Sequence, residues 1–216
     1  MIGKMQPKYS IIVPHYDGAI SDEKFIRGMT CLKNQPFKNF EVLIYHDGPT
    51  SRPIPDVGLE NSKIKVTQKR YNDWGHSLRD MGIRDANGEY IIHFNPDNIL
   101  YENALDRIED ILTLEVEILS SKKEIVIFPI RMMGVVSNGH YYCRFKELED
   151  MVQIILTGSP TIKHNIDCMQ LVMKKDIWVK EGGWKDKTEQ SDGNMYPYFV
   201  KKYGARYCYD ILGEHR

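Results

Sequence analysis

The feature that most constrains the fold is an alternation of strand-forming runs with segments whose apolar residues have helical spacing. The strand-forming runs cover residues 9–13, 41–45, 64–67, 90–94 and 125–130. The segments with helical spacing cover residues 22–34, 75–86 and 103–116. Ser21 and Asn103 can begin the first and third of these helices, and Asn87-Gly88 can end the second. This alternation predicts an α/β fold with a mostly parallel central sheet flanked by helices.

The pattern of residues 131–216 is more irregular than that of residues 1–130. We expect helices over 145–156 and 191–203, extended segments over 169–173 and 206–211, and a tight turn at Gly182-Gly183-Trp184. Internal repeats and low-complexity segments are absent from the sequence. A chain of 216 residues is long enough to bury one good core. Residues 1–216 are therefore predicted to form a single domain.

Charge and cysteine content argue against several classes of protein. The 29 basic and 30 acidic residues give a formal net charge of −1, so no general attraction to nucleic acid is expected. The four cysteines, at positions 31, 143, 168 and 208, have no C-x-x-C spacing, which disfavours a disulfide scaffold or a zinc site. The sequence has no apolar segment of the signal-peptide kind and no uncharged apolar run of roughly 18 residues. It therefore predicts a cytoplasmic protein without a membrane span.

Polar clusters follow three of the predicted strands. They are Pro14-His15-Tyr16-Asp17, His46-Asp47-Gly48 and Asn95-Pro96-Asp97-Asn98. Each cluster alone is a common turn sequence, because Asp, Asn, Gly and Pro are the usual turn formers. In an open parallel sheet, however, ligands bind beyond the carboxyl ends of the strands, so the three clusters together predict one binding crevice. The glycine-rich nucleotide loops and the zinc-protease and serine-hydrolase motifs are absent from the sequence.

Five blocks of the sequence, in order, resemble the GT-A glycosyltransferases of family 2. YSIIVPHYD is similar to the family's S-I-I-I-P-x-Y-N opening, and LKNQPFKNFEVLIYHDGPT to its L-x-S-L-x-x-Q-T-Y-x-x-x-E-I-I-I-V-D-D-G-S-T segment. SLRDMGIRDANGEYIIHFNPDN resembles A-R-N-x-G-I-x-x-A-x-G-E-Y-I-x-F-L-D-x-D-D. MKKDIWVKEGGW resembles R-R-x-x-F-x-x-x-G-G-F, and EQSDGNMYPYFVKKYG lies where the family has E-D-x-D-L-x-x-R. Within the family, the chain most resembles a small glycosyltransferase domain of the large chlorella viruses.

The resemblance implies a GT-A fold and an inverting transfer of a hexose from a nucleotide-diphosphate sugar, with UDP as the expected nucleotide, to a glycan hydroxyl. Residues of about 1–130 would bind the donor, and residues of about 131–216 the acceptor. Negative charge develops on the diphosphate as the glycosidic bond breaks, and Mn²⁺ or Mg²⁺ can neutralise it. Asp97 matches the last aspartate of the family's metal motif. His215 matches a C-terminal histidine that some GT-A enzymes give to the metal, although a frayed chain end is the alternative.

The resemblance also implies a nucleotide pocket. Pro14, Tyr16 and Asp47 match its lining, with Asp47 facing the base or the ribose. Tyr16 can stack on the base, and a half-buried aromatic residue at a strand end is the alternative. Arg79 matches an arginine that can pair with the base or the diphosphate, and a solvated helix residue is the alternative. The amide oxygen of Asn95 can bind a ribose hydroxyl or a metal-bound water. The alternative to the metal role of Asp97 is a strand that simply ends in an Asn-Pro turn.

Asp192, at the start of a predicted helix, matches the family's catalytic acid pair. It is the candidate general base, and Glu189 is the second choice. The alternative for Asp192 is an aspartate that only complements the helix dipole. Further expectations concern residues near the acceptor: Trp184 lines the acceptor site or belongs to the core, Asp80 orients a loop, and His164, Asn165 and Asp167 face the acceptor.

Three positions depart from the family pattern. Asn95 replaces the first carboxylate of Asp-x-Asp, His46 replaces the first residue of an Asp-Asp pair, and Ser191-Asp192 replaces Glu-Asp. The departures leave open a non-catalytic domain that binds a nucleotide or a glycan within a larger assembly. A sugar-1-phosphate nucleotidyltransferase is a further alternative, but PHYDGAI lacks the glycine-rich loop with an arginine that this class needs.

Overall fold

A computed structural model describes residues 6–119, 124–133 and 153–216 of the chain. Its strands and helices, in chain order, are β1 Tyr9–His15, α1 Asp22–Lys33, β2 Phe40–His46, β3 Ser62–Val66, α2 His76–Asp85, β4 Tyr90–His93, β5 Ile99–Leu100, α3 Ala104–Leu119, β6 Ile125–Ile127, β7 Ile130–Met133, β8 Gln153–Leu156, β9 Leu171–Lys174, α4 Lys175–Lys180, α5 Ser191–Tyr203, β10 Arg206–Tyr207 and β11 Gly213–His215. A short 3-10 helix, Cys168–Gln170, precedes β9. As predicted, Ser21 caps α1, since its side chain accepts a hydrogen bond from the backbone N–H of Lys24.

The larger of two sheets in the described ranges has the strand order β10-β6-β9-β4-β1-β2-β3. All of its strands run in the same direction except β9, which is antiparallel to β4 and to β6. The predicted α/β fold with a mostly parallel central sheet is therefore confirmed. β1 and β2 pair from Tyr9 beside Phe40 to His15 beside His46, so their carboxyl ends meet at one edge of the sheet.

Helices cover both faces of the larger sheet. On β1, Ile11 and Val13 pack with side chains of α1 and α3, whereas Ile12 packs with side chains of α2, α4 and α5. Every residue of β1, β2 and β4 is buried, as expected for strands that are covered on both sides. None of the helices in the described ranges is long and apolar enough to cross a membrane.

A second sheet, of order β5-β11-β7-β8, was not predicted from the sequence. β11 is antiparallel to β5 and parallel to β7. β5 follows the 95–98 turn directly, so the pairing of β11 with β5 brings the end of the chain close to that turn. His215 is therefore part of a paired strand, and the alternative of a frayed chain end is wrong.

Four local predictions differ from the structure. Residues 169–170, expected to begin an extended segment over 169–173, belong to the 3-10 helix, and β9 begins at Leu171. Residues 153–156, expected to end a helix over 145–156, form β8, and residues 145–152 lie outside the described ranges. The strand expected over 125–130 is divided into β6 and β7, which belong to different sheets. Of the segment 206–211, the first two residues form a strand, and α4 was not predicted. Long-range strand pairing, which local periodicity does not reveal, decides most of these differences.

Helix α1 lies so close to the 95–98 turn that a side chain at position 28 would collide with it. A Cβ atom on Gly28 would lie 2.0 Å from the backbone oxygen of Pro96. We expect Gly28→Ala to lower the free energy of unfolding by about 1–3 kcal/mol, because the helix or the turn must move. Chemical denaturation measures this. Lys24→Ala, at an exposed position of α1, is the control with an expected change below about 0.5 kcal/mol, and an equally small change for Gly28→Ala would contradict the close packing.

Candidate functional site

A cavity of about 740 Å³ lies at the carboxyl ends of β1, β2 and β4. Its wall includes every residue that the sequence assigned to binding or catalysis, namely Pro14, Tyr16, Asp47, Arg79, Asn95, Asp97, Asp192 and His215. Glu189, Trp184, His164 and Asp167 line it as well. Asn165 instead donates hydrogen bonds to Thr157 Oγ1 and to the backbone oxygen of Pro160. The three polar clusters thus lie around one crevice.

Arg79 points into the cavity wall and is only 3% exposed, so the alternative of a solvated helix residue is wrong. Its Nη2 donates to Asn95 Oδ1 at 2.5 Å, and its Nη1 donates to the backbone oxygen of Trp74 at 2.9 Å. The amide oxygen predicted to bind ribose or a metal-bound water is therefore already used by an arginine. Because both of these partners are neutral, the guanidinium charge is available to attract an anionic ligand.

Asp47 fixes the loop between β3 and α2. Its Oδ1 accepts a hydrogen bond from the backbone N–H of Tyr71 at 2.7 Å, and its Oδ2 accepts one from Asn72 at 3.0 Å. The resemblance implied a contact of Asp47 with the base or the ribose, and the sequence gives no sign of this contact with the loop. The carboxylate therefore shapes the cavity wall whether or not it touches a nucleotide.

Tyr16 lies on the wall formed by the end of β1. Its ring is 38% exposed, and the guanidinium carbon of Arg70 lies 4.3 Å from the ring centroid. A cation over one aromatic face is a favourable contact that holds the ring in place. The geometry suits a flat surface on which a planar ligand can stack.

Asp97, His215 and Asp167 form an ionisable cluster at the cavity. Burial raises the pKa of Asp97, the charge of His215 opposes this shift, and the charge of Asp167 adds to it. His215 Nε2 lies 3.8 Å from Asp167 Oδ2, too far for a hydrogen bond between these two atoms. Asp167 Oδ1 accepts a hydrogen bond from the backbone N–H of Met169 at 3.0 Å and so caps the 3-10 helix. Asp167 thus has a structural contact besides its predicted place near the acceptor.

This cluster can hold a divalent cation only together with a bound ligand. Asp97 offers a carboxylate and His215 an imidazole, and Mn²⁺ accepts both. Within the described residues, no group of three or more His, Cys, Asp and Glu side chains is arranged to hold a metal ion by itself. The two side chains therefore fit a cation whose remaining ligands are phosphate oxygens and water.

Asp192 lies in the first turn of α5, at the edge of the cavity. Burial raises the pKa of Asp192 to about 7, and the negative charge of Asp167 is the second cause. The backbone N–H of Gly193 donates to Asp192 Oδ1 at 2.7 Å, and this bond and the charge of Arg79 oppose the shift. Its position in the first turn of α5 also suits the alternative role, an aspartate that complements the helix dipole. A carboxyl group that titrates near neutral pH is suited to take a proton from a hydroxyl.

His76, which sequence analysis missed, joins α2 to the segment before α5. Its Nε2 donates to the backbone oxygen of Thr188 at 2.9 Å and lies 3.1 Å from Ser191 Oγ. Trp184 Nε1 donates to the same Ser191 Oγ at 3.1 Å. Burial lowers the pKa of His76 to about 4, so the ring is neutral at ordinary pH. The sequence carries no signal for this contact, since the partners lie more than a hundred residues apart.

Trp184 and Asp80 hold the turn at 182–184. Trp184 is 1% exposed, so the core alternative describes it better than an acceptor contact. Asp80 Oδ1 accepts a hydrogen bond from the backbone N–H of Trp184 at 3.2 Å, which is a loop contact of the predicted kind. A Cβ atom on Gly183 would lie 2.0 Å from Asp80 Oδ1, and Gly183 has a φ of 77°, in the left-handed region that favours glycine.

Sequence comparison relates the chain to one family over most of its length. The family described as Glycosyl transferase family 2 matches residues 10–178. An uncharacterized glycosyltransferase of Rickettsia typhi is 21% identical over 97% of this chain and 64% of its own length. Glycosyltransferase GlyG of Streptococcus pneumoniae is 23% identical over 84% of this chain and 52% of its own length. The chain thus spans less than two thirds of the length of these relatives.

Solved structures share the fold at low sequence identity. The crystal structure of Staphylococcus aureus TarS 1-349 in complex with UDP-GlcNAc superposes with a TM-score of 0.63 at 15% identity, over 96% of this chain and 58% of that chain. The mannosyltransferase PcManGT from Pyrobaculum calidifontis, in complex with GDP-Man and Mn²⁺, has a TM-score of 0.60 at 12% identity, over 98% of this chain and 57% of that chain. The match over residues 10–178 and the shared architecture lead to one conclusion: this chain belongs to glycosyl transferase family 2 and has the GT-A fold.

Proposed function

We propose that this chain transfers a hexose from a nucleotide-diphosphate sugar, with UDP as the nucleotide, to a glycan hydroxyl with inversion at the anomeric carbon. The observation that carries the proposal is the half-buried Asp192 in the same cavity as the predicted nucleotide residues. Family membership and the nucleotide-sugar complexes of TarS and PcManGT support a donor of this class. The similarity to chlorella-virus domains and the cytoplasmic location stay predictions from sequence.

The donor would lie along the ends of the parallel strands. Tyr16 would stack on the base, beside Pro14 and Asp47. Arg79, with its neutral partners, would lie against the diphosphate, where a guanidinium can donate two parallel hydrogen bonds. This arrangement gives the neutral Asn95 a function, since it orients Arg79 without cancelling its charge.

Asp97 and His215 would hold Mn²⁺ or Mg²⁺ together with the diphosphate. When bound, the cation neutralises the charge that develops on the leaving diphosphate. Only the carboxylate form of Asp97 binds a cation, and burial raises the pKa of that group. Metal affinity should therefore fall as the pH is lowered.

Asp192 would act on the acceptor. Its carboxylate takes the proton of the attacking hydroxyl while the hydroxyl oxygen bonds to the anomeric carbon and the bond from that carbon to the diphosphate oxygen breaks. The proton ends on Asp192, and the electron pair of the broken bond ends on the nucleoside diphosphate. A single displacement of this kind inverts the configuration at the anomeric carbon.

Calorimetric titration of UDP and GDP, with Mn²⁺ and with a chelator, tests the donor site. We expect Mn²⁺ to strengthen UDP binding roughly tenfold or more, because the cation offsets phosphate charge. Asp97→Asn should remove this dependence on Mn²⁺, whereas Asp110→Asn, a surface change on α3, should keep it. Equal binding with and without metal, unchanged in Asp97→Asn, would overturn the metal assignment. Binding of neither nucleotide would overturn the proposed function.

A non-catalytic role remains the second candidate, and the contact between Asn95 and Arg79 favours it. A neutral residue in place of the family's first carboxylate is compatible with a domain that binds a nucleotide without turnover. This candidate predicts UDP binding without release of UDP from a UDP-hexose. Turnover that depends on Asp192 separates the two.

A further inference from the structure

Trp74 is a large apolar side chain held in the open at the rim of the cavity. All three tryptophans of the chain lie in its described part, where Trp178 and Trp184 are 0% and 1% exposed and Trp74 is 62% exposed. Trp74 also lines the cavity. An exposed indole at the mouth of a binding cavity is a candidate contact for a ligand with an apolar surface.

The backbone that presents Trp74 is strained. Asn72, Trp74 and Gly75 have φ values of 56°, 55° and 79°. These values lie in the left-handed region, which residues other than glycine rarely adopt. Arg79 Nη1 donates to the backbone oxygen of Trp74, and Asp47 accepts hydrogen bonds from the backbone on the other side of the loop. Two residues of the proposed donor site therefore hold the loop in an unfavourable conformation. Strain of this kind persists where the surrounding structure imposes it, and often at ligand sites.

The indole is supported from the core side by a series of aromatic rings. Trp178 stacks on Trp184 with ring centroids 5.5 Å apart, and Trp184 stacks on His76 with centroids 5.3 Å apart. The ring of Trp74 follows at 6.4 Å from His76, tilted by 32°. His76 in turn contacts Thr188 and Ser191, immediately before Asp192. The position of the indole is thus tied to the segment that carries the proposed general base.

We propose that Trp74 is the stacking platform for a pyranose ring bound in this cavity. A pyranose presents a flat C–H surface to an aromatic face and hydroxyl groups at its edge, and the cavity wall also carries the polar side chains of Glu189 and Lys163. The base of the nucleotide has its own candidate surface in Tyr16, at the end of β1. The inference rests on the proposed function and adds a residue that selects for the sugar. The hexose of the donor and the terminal sugar of the acceptor both present such a C–H surface, so either ring can stack on Trp74.

Fluorescence quenching tests the platform, because Trp74 is exposed to a quencher in solution whereas Trp178 and Trp184 are buried. Acrylamide should quench a component of the tryptophan emission in the wild type that is missing in Trp74→Phe. The probes are UDP alone, UDP-glucose and UDP-GlcNAc, and the methyl pyranosides of glucose, galactose, mannose and N-acetylglucosamine with and without UDP. We expect UDP alone to leave Trp74 open to the quencher and a sugar probe to protect it. Protection by a UDP-sugar identifies the donor ring, and protection by a methyl pyranoside identifies the acceptor ring.

Calorimetry supplies the matched comparison. Trp74→Ala should bind the protecting sugar about tenfold more weakly, whereas Trp74→Phe, which keeps an aromatic face, should stay within about threefold of the wild type. The affinity for UDP should be the same in both variants, which also shows that they fold. Protection by UDP alone would overturn the inference and assign Trp74 to the base, and a failure of every sugar probe to protect it would overturn it too. Failure of UDP and GDP to bind the wild type would instead overturn the proposed function, while protection by free pyranosides would still support the platform.

Discussion

Asp192→Asn is expected to lower kcat/KM for release of UDP from a UDP-hexose roughly 10²–10⁴-fold, with little change in the affinity for UDP. Asparagine keeps the size of the side chain and its oxygen acceptor toward the N–H of Gly193, but it cannot take a proton. The loss should therefore fall on the chemical step. Steady-state kinetics with water or a glycan mixture as acceptor, together with UDP calorimetry, measures both quantities.

The pH profile gives an independent view of the same group. Burial and the charge of Asp167 raise the pKa of Asp192 to about 7, so the carboxyl is largely protonated and inactive as a base below that pH. The kcat/KM of the wild type should rise with pH through about 7 and then level off. Asp192→Asn should lose this limb of the profile. A wild-type profile that is flat through this range would exclude Asp192 as the base.

Two further variants separate catalysis from helix electrostatics. Asp176→Asn removes an exposed aspartate from the first turn of α4, as Asp192→Asn does for α5, and it should leave turnover unchanged. If both variants lose activity equally, a general effect of first-turn aspartates on stability is the cause. Glu189→Gln tests the second candidate. Loss of activity in Glu189→Gln with retention in Asp192→Asn would move the general base to Glu189.

The first half of the fold was predictable because its signals are local. The run of strand-forming residues at 9–13 marks β1, and Ser21 marks the start of α1 as a capping residue should. The second sheet carries no such signal. Its strands are two to four residues long, and β11 finds partners in β5 and β7 that lie about a hundred residues earlier. The apolar run at 153–156 became a strand because β7 was there to pair with it.

The residues of the candidate site were predictable as a group, because parallel strands bring their carboxyl ends together. The contacts that these residues make with one another were not predictable. The sequence does not show that Arg79 donates to Asn95, or that Asp47 holds the loop before α2. Such contacts depend on side-chain geometry across elements far apart in the chain. Trp74 stands in the polar loop sequence Asn72-Asp73-Trp74-Gly75, and residues that bind ligands often lie on loops.

His93→Phe is expected to make the protein less sensitive to acid. His93 lies in β4 with 0% exposure, and neither ring nitrogen has a hydrogen-bond partner within the described structure. Its ring meets the stacked Trp178 and Trp184 edge to face, with centroids 5.0 and 4.6 Å away. Phenylalanine keeps these edge contacts and removes two polar atoms, so the free energy of unfolding near neutral pH should be unchanged or higher.

The difference in the free energy of unfolding between His93→Phe and the wild type should grow as the pH falls. Burial lowers the pKa of His93 well below its ordinary value, and the charges of Arg79 and His76 add to this. The unfolded chain therefore binds a proton at His93 below about pH 6.5 while the folded chain does not, and stability is lost on acidification. From about pH 7.5 to about pH 5, His93→Phe should gain up to about 2 kcal/mol relative to the wild type, the limit for a folded chain that binds no proton at His93. Urea denaturation across this range measures it.

The comparison between variants is needed because other groups titrate in the same range. Burial also lowers the pKa of His15 and of His76 to about 4, which makes the wild type less stable in acid. Asp97 and Asp192, whose pKa values are raised, act in the opposite direction, because the folded chain binds their protons more readily. These contributions cancel when His93→Phe is compared with the wild type at each pH. Ile92→Val, one residue away in β4, should lower the free energy of unfolding by about 0.5–1.5 kcal/mol at every pH. If the difference between His93→Phe and the wild type were equally independent of pH, His93 would be protonated in the folded chain as readily as in the unfolded chain.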